Sequence, residues 1–178
     1  MPRDAIELIC GPSGASPWPS AAAPANDISL LGTLRELYDQ KEKAISTAAA
    51  VIANGTSTIF TIAGGPIELQ VLLSVCVTDN GGTATTLKWA ADPTDGAATD
   101  LCAASASLAS VAAGTVVRIT GTLADAAVVV AAGAAISQAG RLIIPAGIIT
   151  AITAVGATTG TWTHHLRYKP LARGVVVS

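Results

Sequence analysis

Gly160-Thr161-Trp162-Thr163-His164-His165-Leu166-Arg167-Tyr168-Lys169-Pro170-Leu171 decides the fold of this chain. Side chains of an extended strand alternate between two faces. Trp162, His164, Leu166 and Tyr168 therefore share one bulky, largely apolar face. Thr163, His165, Arg167 and Lys169 share the other, which is polar and basic. This is the pattern of a half-buried strand in a β domain, with Pro170 ending its pairing.

Working back from that strand, the same period recurs. Ile67, Leu69, Val71, Leu73, Val75 and Val77 form an apolar face, with Glu68, Gln70, Ser74 and Thr78 opposite. A register slip here would turn a core face outward. Further strands are expected at Thr58 to Ile62, Thr85 to Ala90, Thr115 to Thr120, Ala127 to Val130, Arg141 to Ile144 and Ile148 to Val155. Ala63-Gly64-Gly65-Pro66 and Asn80-Gly81-Gly82 read as hairpin turns, and Asp92-Pro93-Thr94-Asp95-Gly96 as a surface loop. Short strands at this spacing predict a mainly β fold: an antiparallel β-sandwich or jelly-roll-like barrel over residues 48–178.

The front of the chain reads differently. Residues 1–26 hold Pro12, Pro17, Pro19 and Pro24 and form an extended Pro/Ala-rich arm. Trp18 and the Ile6, Leu8, Ile9 cluster are candidate anchors into another protein, or parts of a loosely packed tail. Residues 27–47 read as a short amphipathic helix capped by Asp27, with Leu31, Leu34, Tyr38 and Ile45 on its apolar stripe. That stripe is too short for an isolated coiled coil. It packs either as one member of a short trimeric stem or back onto its own domain.

Composition narrows the function. The 178 residues are 51% hydrophobic, 3% aromatic and 12% charged, against about 25% charged in typical domains. Mean hydropathy is +0.55. Either much of the surface is covered by neighbours or the outside is made of Ala, Thr and Ser, and both readings fit a subunit of an assembly. Asp125 interrupts the most lipid-like stretch, Leu123 to Ile136, so no membrane partner is expected. Acids near Met1 do not suit a signal peptide. The net charge of −2 does not favour nucleic acid, although no acid follows Asp125 while Arg141, Arg167, Lys169 and Arg173 do.

No catalytic set assembles. His164 and His165 point to opposite faces and cannot chelate one ion, and a His beside Trp162 and Tyr168 reads as packed. Asp92, Asp95 and Asp100 lack calcium-loop spacing. Cys10, Cys76 and Cys102 lack metal or redox spacing and read as reduced thiols. No metal or cofactor is implied, and the chain reads as a non-enzyme.

Several segments in order carry a family resemblance: Leu30-Leu31-Gly32-Thr33-Leu34, Ala48 to Gly55, Thr58 to Ile67, Leu87-Lys88-Trp89-Ala90-Ala91-Asp92-Pro93-Thr94, Ile144-Pro145-Ala146-Gly147, and the closing Trp162 to Leu171. Together they resemble the small β domains of virion structural proteins of tailed bacteriophages, such as head-fibre, decoration and minor structural proteins. The resemblance implies a virion location, a homo-oligomer with a trimer as first choice, and partners such as the major capsid protein. It implies an exposed decoration, spike or head-fibre subunit attached through its N-terminal arm. The alternative is a receptor- or carbohydrate-binding module of a tail fibre. A depolymerase ranks below both, for want of a catalytic set.

Overall fold

Alternating β-branched and aliphatic residues dominate this chain, and they settle into extended structure wherever one face can be buried. The computed structural model describes residues 41–137 and 140–178. Among these residues there are twelve strands and no helix. The arm, and the sites expected at Ile6, Leu8, Ile9, Trp18, Leu31, Leu34 and Tyr38, lie outside the described residues.

Two antiparallel sheets make a sandwich-like, mainly β fold. The larger sheet runs β1 (Lys43–Ser46), β11 (Thr161–Pro170), β4 (Ile67–Cys76), β7 (Val116–Arg118), β8 (Val128–Val130). Within it β2 (Ala50–Val51) also pairs with β11, and β9 (Leu142–Ile144) with β4. The smaller sheet runs β12 (Val176–Val177), β3 (Gly55–Ala63), β10 (Gly147–Ala154), β5 (Thr86–Pro93), β6 (Thr99–Asp100). Phe60, Ile62, Leu87, Trp89 and Ile149 of the smaller sheet share one core with Ile67, Leu69, Leu72, Trp162, Leu166 and Tyr168 of the larger. Trp89 and Trp162 are its largest fully buried side chains.

β11 alternates as its sequence predicts: Trp162, His164, Leu166 and Tyr168 are all buried. β4 does not keep a single apolar face. Its register against β11 runs Ile67↔Pro170, Glu68↔Lys169, Leu69↔Tyr168, then jumps to Val71↔Arg167. Gln70 is the extra residue of a β-bulge, which shifts the following residues by one and reverses their faces. Leu72, Ser74 and Cys76 point into the core, while Val71, Leu73 and Val75 are only half-buried on the outer side. The sequence pattern fails here because both faces of Val71 to Cys76 are nearly all apolar. The partner strand arbitrates, pairing Ser74 with the buried His164.

Two other expectations need correcting. Lys43 to Ser46 is not the end of a helix but strand β1, with Ile45 opposite Leu166 and packed against the core. Its alternation of half-buried and exposed residues matches the pleat of β11, and ladder hydrogen bonds replace helical ones. The two glycine-rich turns are not hairpins either. β3 and β4 lie in different sheets, as do β4 and β5, so both turns carry the chain from one layer to the other. Gly64 has φ +83°, and a Cβ there would lie 2.5 Å from the Gly174 carbonyl oxygen, so a side chain is excluded by both conformation and space.

Buried Asn80 holds the second crossing. Its Nδ2 donates to the Leu108 carbonyl at 2.7 Å. Its Oδ1 accepts from the backbone N–H of Thr159 at 2.8 Å and of Gly160 at 2.9 Å. One side chain thus ties three separate segments and satisfies buried backbone groups.

Candidate functional site

The end of the sandwich where residues 47–52 face β3 is not closed over. A crevice of about 190 Å³ opens there, with Trp162 and His164 in its lining. Ala48, Val51, Ile52 and Ile59 supply apolar wall, and Thr47, Ser57 and Thr58 supply hydroxyls. No charged side chain lines it.

His164 reaches this place because β11 turns it inward. Its Nδ1 lies 2.5 Å from the hydroxyl of the fully buried Ser74. Burial pushes the imidazole down to about 4, and neighbouring His165 pushes the same way. The ring is therefore neutral near pH 7. His164 Nδ1 and the Ser74 hydroxyl thus share one buried hydrogen bond. A serine beside a neutral histidine is the first half of an activated nucleophile. Here Ser74 is wholly buried, and among the described residues no carboxylate is hydrogen-bonded to the ring. The pair satisfies two buried polar groups and joins the two central strands. His165 faces the other way, with its Nδ1 2.6 Å from the Ser46 hydroxyl. The separation of the two histidines is as the strand period predicts.

A second hollow, about 520 Å³ and open to solvent, lies on the outside of the smaller sheet. Asp92, Asp100, Thr56, Thr99 and Thr150 line it, without an aromatic ring. Asp100 is held by Lys88 at 2.7 Å. Among the described residues no group of three or more His, Cys, Asp or Glu side chains is placed to hold a metal ion. Cys76 and Cys102 are free and buried, and burial raises both thiols above the ordinary range. No helix among the described residues is long and apolar enough to cross a membrane.

The outer side of the larger sheet is the other feature of note. The bulge in β4 puts Val71, Leu73 and Val75 there, beside Val116 of β7 and Val128 and Val130 of β8. Val77, just beyond β4, is 46% exposed. Arg118, His165 and Arg167 interrupt this surface, with Arg167 paired to Glu42.

Of the expected site residues, only Ile45 falls in the described structure, and it belongs to a core-packed strand. The crevice, the Ser74–His164 pair and the valine surface escaped sequence reading, because each depends on the one-residue shift at Gln70 or on which sheet a turn leads to. The nearest signal was Gln70 itself, a polar residue within an apolar run. No family model, curated protein or solved structure matches the chain.

Proposed function

We propose that this protein is a structural component of a bacteriophage virion, an exposed decoration, spike or head-fibre subunit that works by binding rather than catalysis. The observation that carries the reading is the partly buried valine surface on the outer side of the larger sheet, with Val77 exposed just beyond it. Apolar outer surface of that kind is costly on a free monomer and is characteristic of contact faces. The sparse charge and high mean hydropathy of the chain fit the same role.

In this reading residues 1–26 form the arm that grips the particle through Ile6, Leu8, Ile9 and Trp18. Leu31, Leu34 and Tyr38 lie on a helix that joins copies, a homotrimer being the first choice. The partners are further copies and other virion proteins such as the major capsid protein. Each contact removes apolar surface from water, worth about 25 cal/mol per Å².

The test is whether the protein is in the particle. Antibodies against the chain should label purified virions made from the genome that encodes it, at regular positions, and peptides of the chain should be found in those particles. Absence from purified particles overturns the reading. Trp18→Ala should weaken binding of the full chain to particles lacking it.

Receptor or carbohydrate recognition at a tail-fibre tip has one observation in its favour, the hydroxyl- and carboxylate-lined hollow beside Asp92. Binding to host cells but not to heads would select it.

A further inference from the structure

The smaller sheet has one long edge that is only half paired. β12 covers β3 at Ala63 and Ile62, and Ser178 exchanges two backbone hydrogen bonds with Thr61. Along Gly55 to Phe60 no described strand lies on that side, while β10 occupies the other. Sheet edges are ordinarily guarded by charge, proline or shortness. The other edges here have such guards. β1 has four residues beginning with Lys43, β6 has two residues including Asp100, and β8 has three. Gly55-Thr56-Ser57-Thr58-Ile59 has neither charge nor proline.

We propose that this edge pairs with the same edge of a second copy, antiparallel and about a two-fold axis. The segment is complementary to itself when Ser57 meets Ser57 of the other copy. Thr56 then lies opposite Thr58, a favourable cross-strand pair, and both are exposed. Gly55 lies opposite Ile59. A Cβ built on Gly55 meets nothing within 4 Å, so there is room beside it for the incoming isoleucine. Ile59 and Ser57 also border the uncharged crevice, which a second uncharged edge would cover. Gly55, with φ +95°, is the first residue of β3, and Ser178 already occupies the far end. The contact is therefore bounded to about these five residues on each copy. It buries no like charges, because the edge has none. A bulge at Ile59 against β10 ends the regular stretch on the same side.

This contact deepens the proposed self-association and rests on it. It predicts an even number of subunits: two, or six if a threefold contact is also made. Light scattering of the full chain over a concentration series reads the number. A dimer or hexamer that T56K/T58K converts to monomer or trimer, with an unchanged far-ultraviolet circular-dichroism spectrum, supports the contact. Those lysines are exposed on each copy but face one another across the pair. Ser57→Cys should cross-link into covalent dimers under mild oxidation, where the unaltered chain does not. A monomer or a trimer in the unaltered chain overturns the edge contact. So does association that T56K/T58K leaves intact, or Ser57→Cys that yields no covalent dimer. A trimer would leave the virion reading standing, so the two failures are distinguishable.

Discussion

The pair β4–β11 and the stretch 94–146 draw on the same small and aliphatic residues, yet they hold their shapes by different means. β4 and β11 have ten residues each and pair along nearly their whole length. Their order comes from a repeated ladder, with Trp162, His164, Leu166 and Tyr168 stacked on one face. Between residues 94 and 146 the strands β6, β7, β8 and β9 have two or three residues each. That stretch is held by single buried anchors instead: Leu101, Cys102, Leu108, Val117, Ile119 and Ala127. Leu108 lies in no strand, yet it is fully buried and receives the Asn80 side chain at its carbonyl. A long ladder spreads its stability over many pairs, whereas an irregular stretch concentrates it at a few sites.

The largest effects should therefore be comparable in size but different in origin. Trp162→Ala removes the biggest side chain of the ladder and should cost about 3–5 kcal/mol. Leu108→Ala, in a loop, should cost about 2–5 kcal/mol. Urea unfolding monitored by circular dichroism gives both values. A cost below about 1 kcal/mol for Leu108→Ala would erase the idea that loop anchors act as core.

Acid should weaken the ladder through His164. The unfolded imidazole titrates near its ordinary value of 6.5, the folded one at about 4. Between those values the unfolded chain binds the extra proton, so stability is intact above 6.5 and falls as pH drops toward 4, by about 3 kcal/mol in full. Urea midpoints from pH 7 to pH 4 should show this fall in the unaltered protein. In His164→Gln that component should be missing. An equal slope in both would place the proton elsewhere.

Asn80→Ala should cost about 1–3 kcal/mol, because it strips partners from the Leu108 carbonyl and from two backbone N–H groups. Its effect should show most in hydrogen exchange at Thr159 and Gly160, and protection kept at both amides would count against the anchor. The smallest change is at the surface. Arg141→Ala breaks a solvent-exposed pair with Glu68 and should cost about 0–1 kcal/mol, vanishing in high salt. A salt-independent loss would mean that Arg141 does more than pair.

The same contrast explains what could be read from sequence. β11 was legible because its two faces differ in chemistry, so alternation had one solution. β4 was legible as a strand but not in register: beyond Gln70 either face could serve as core, and only pairing with β11 selects Leu72, Ser74 and Cys76. Lys43 to Ser46 carried both a helical stripe and a period-two pattern, and the partner strand decided. The glycine-rich turns gave their positions but not their destinations, since a turn between layers has the same residues as a hairpin. In the site, the opposite orientations of His164 and His165 followed from the period alone. The partnership of His164 with Ser74, 90 positions away, required the bulge.

That bulge is the hinge of the account, since it creates both the buried Ser74–His164 pair and the outer valine surface. Substituting threonine separately at Leu72 and at Leu73 tests it most directly, because these neighbours differ only in the face they occupy. Leu72→Thr should cost about 3 kcal/mol or more, from a lost core side chain and a buried hydroxyl. Leu73→Thr should cost less than about 1 kcal/mol. The reverse order, with Leu73 the costly position, would mean that β4 keeps one apolar face throughout and that the shift at Gln70 does not exist.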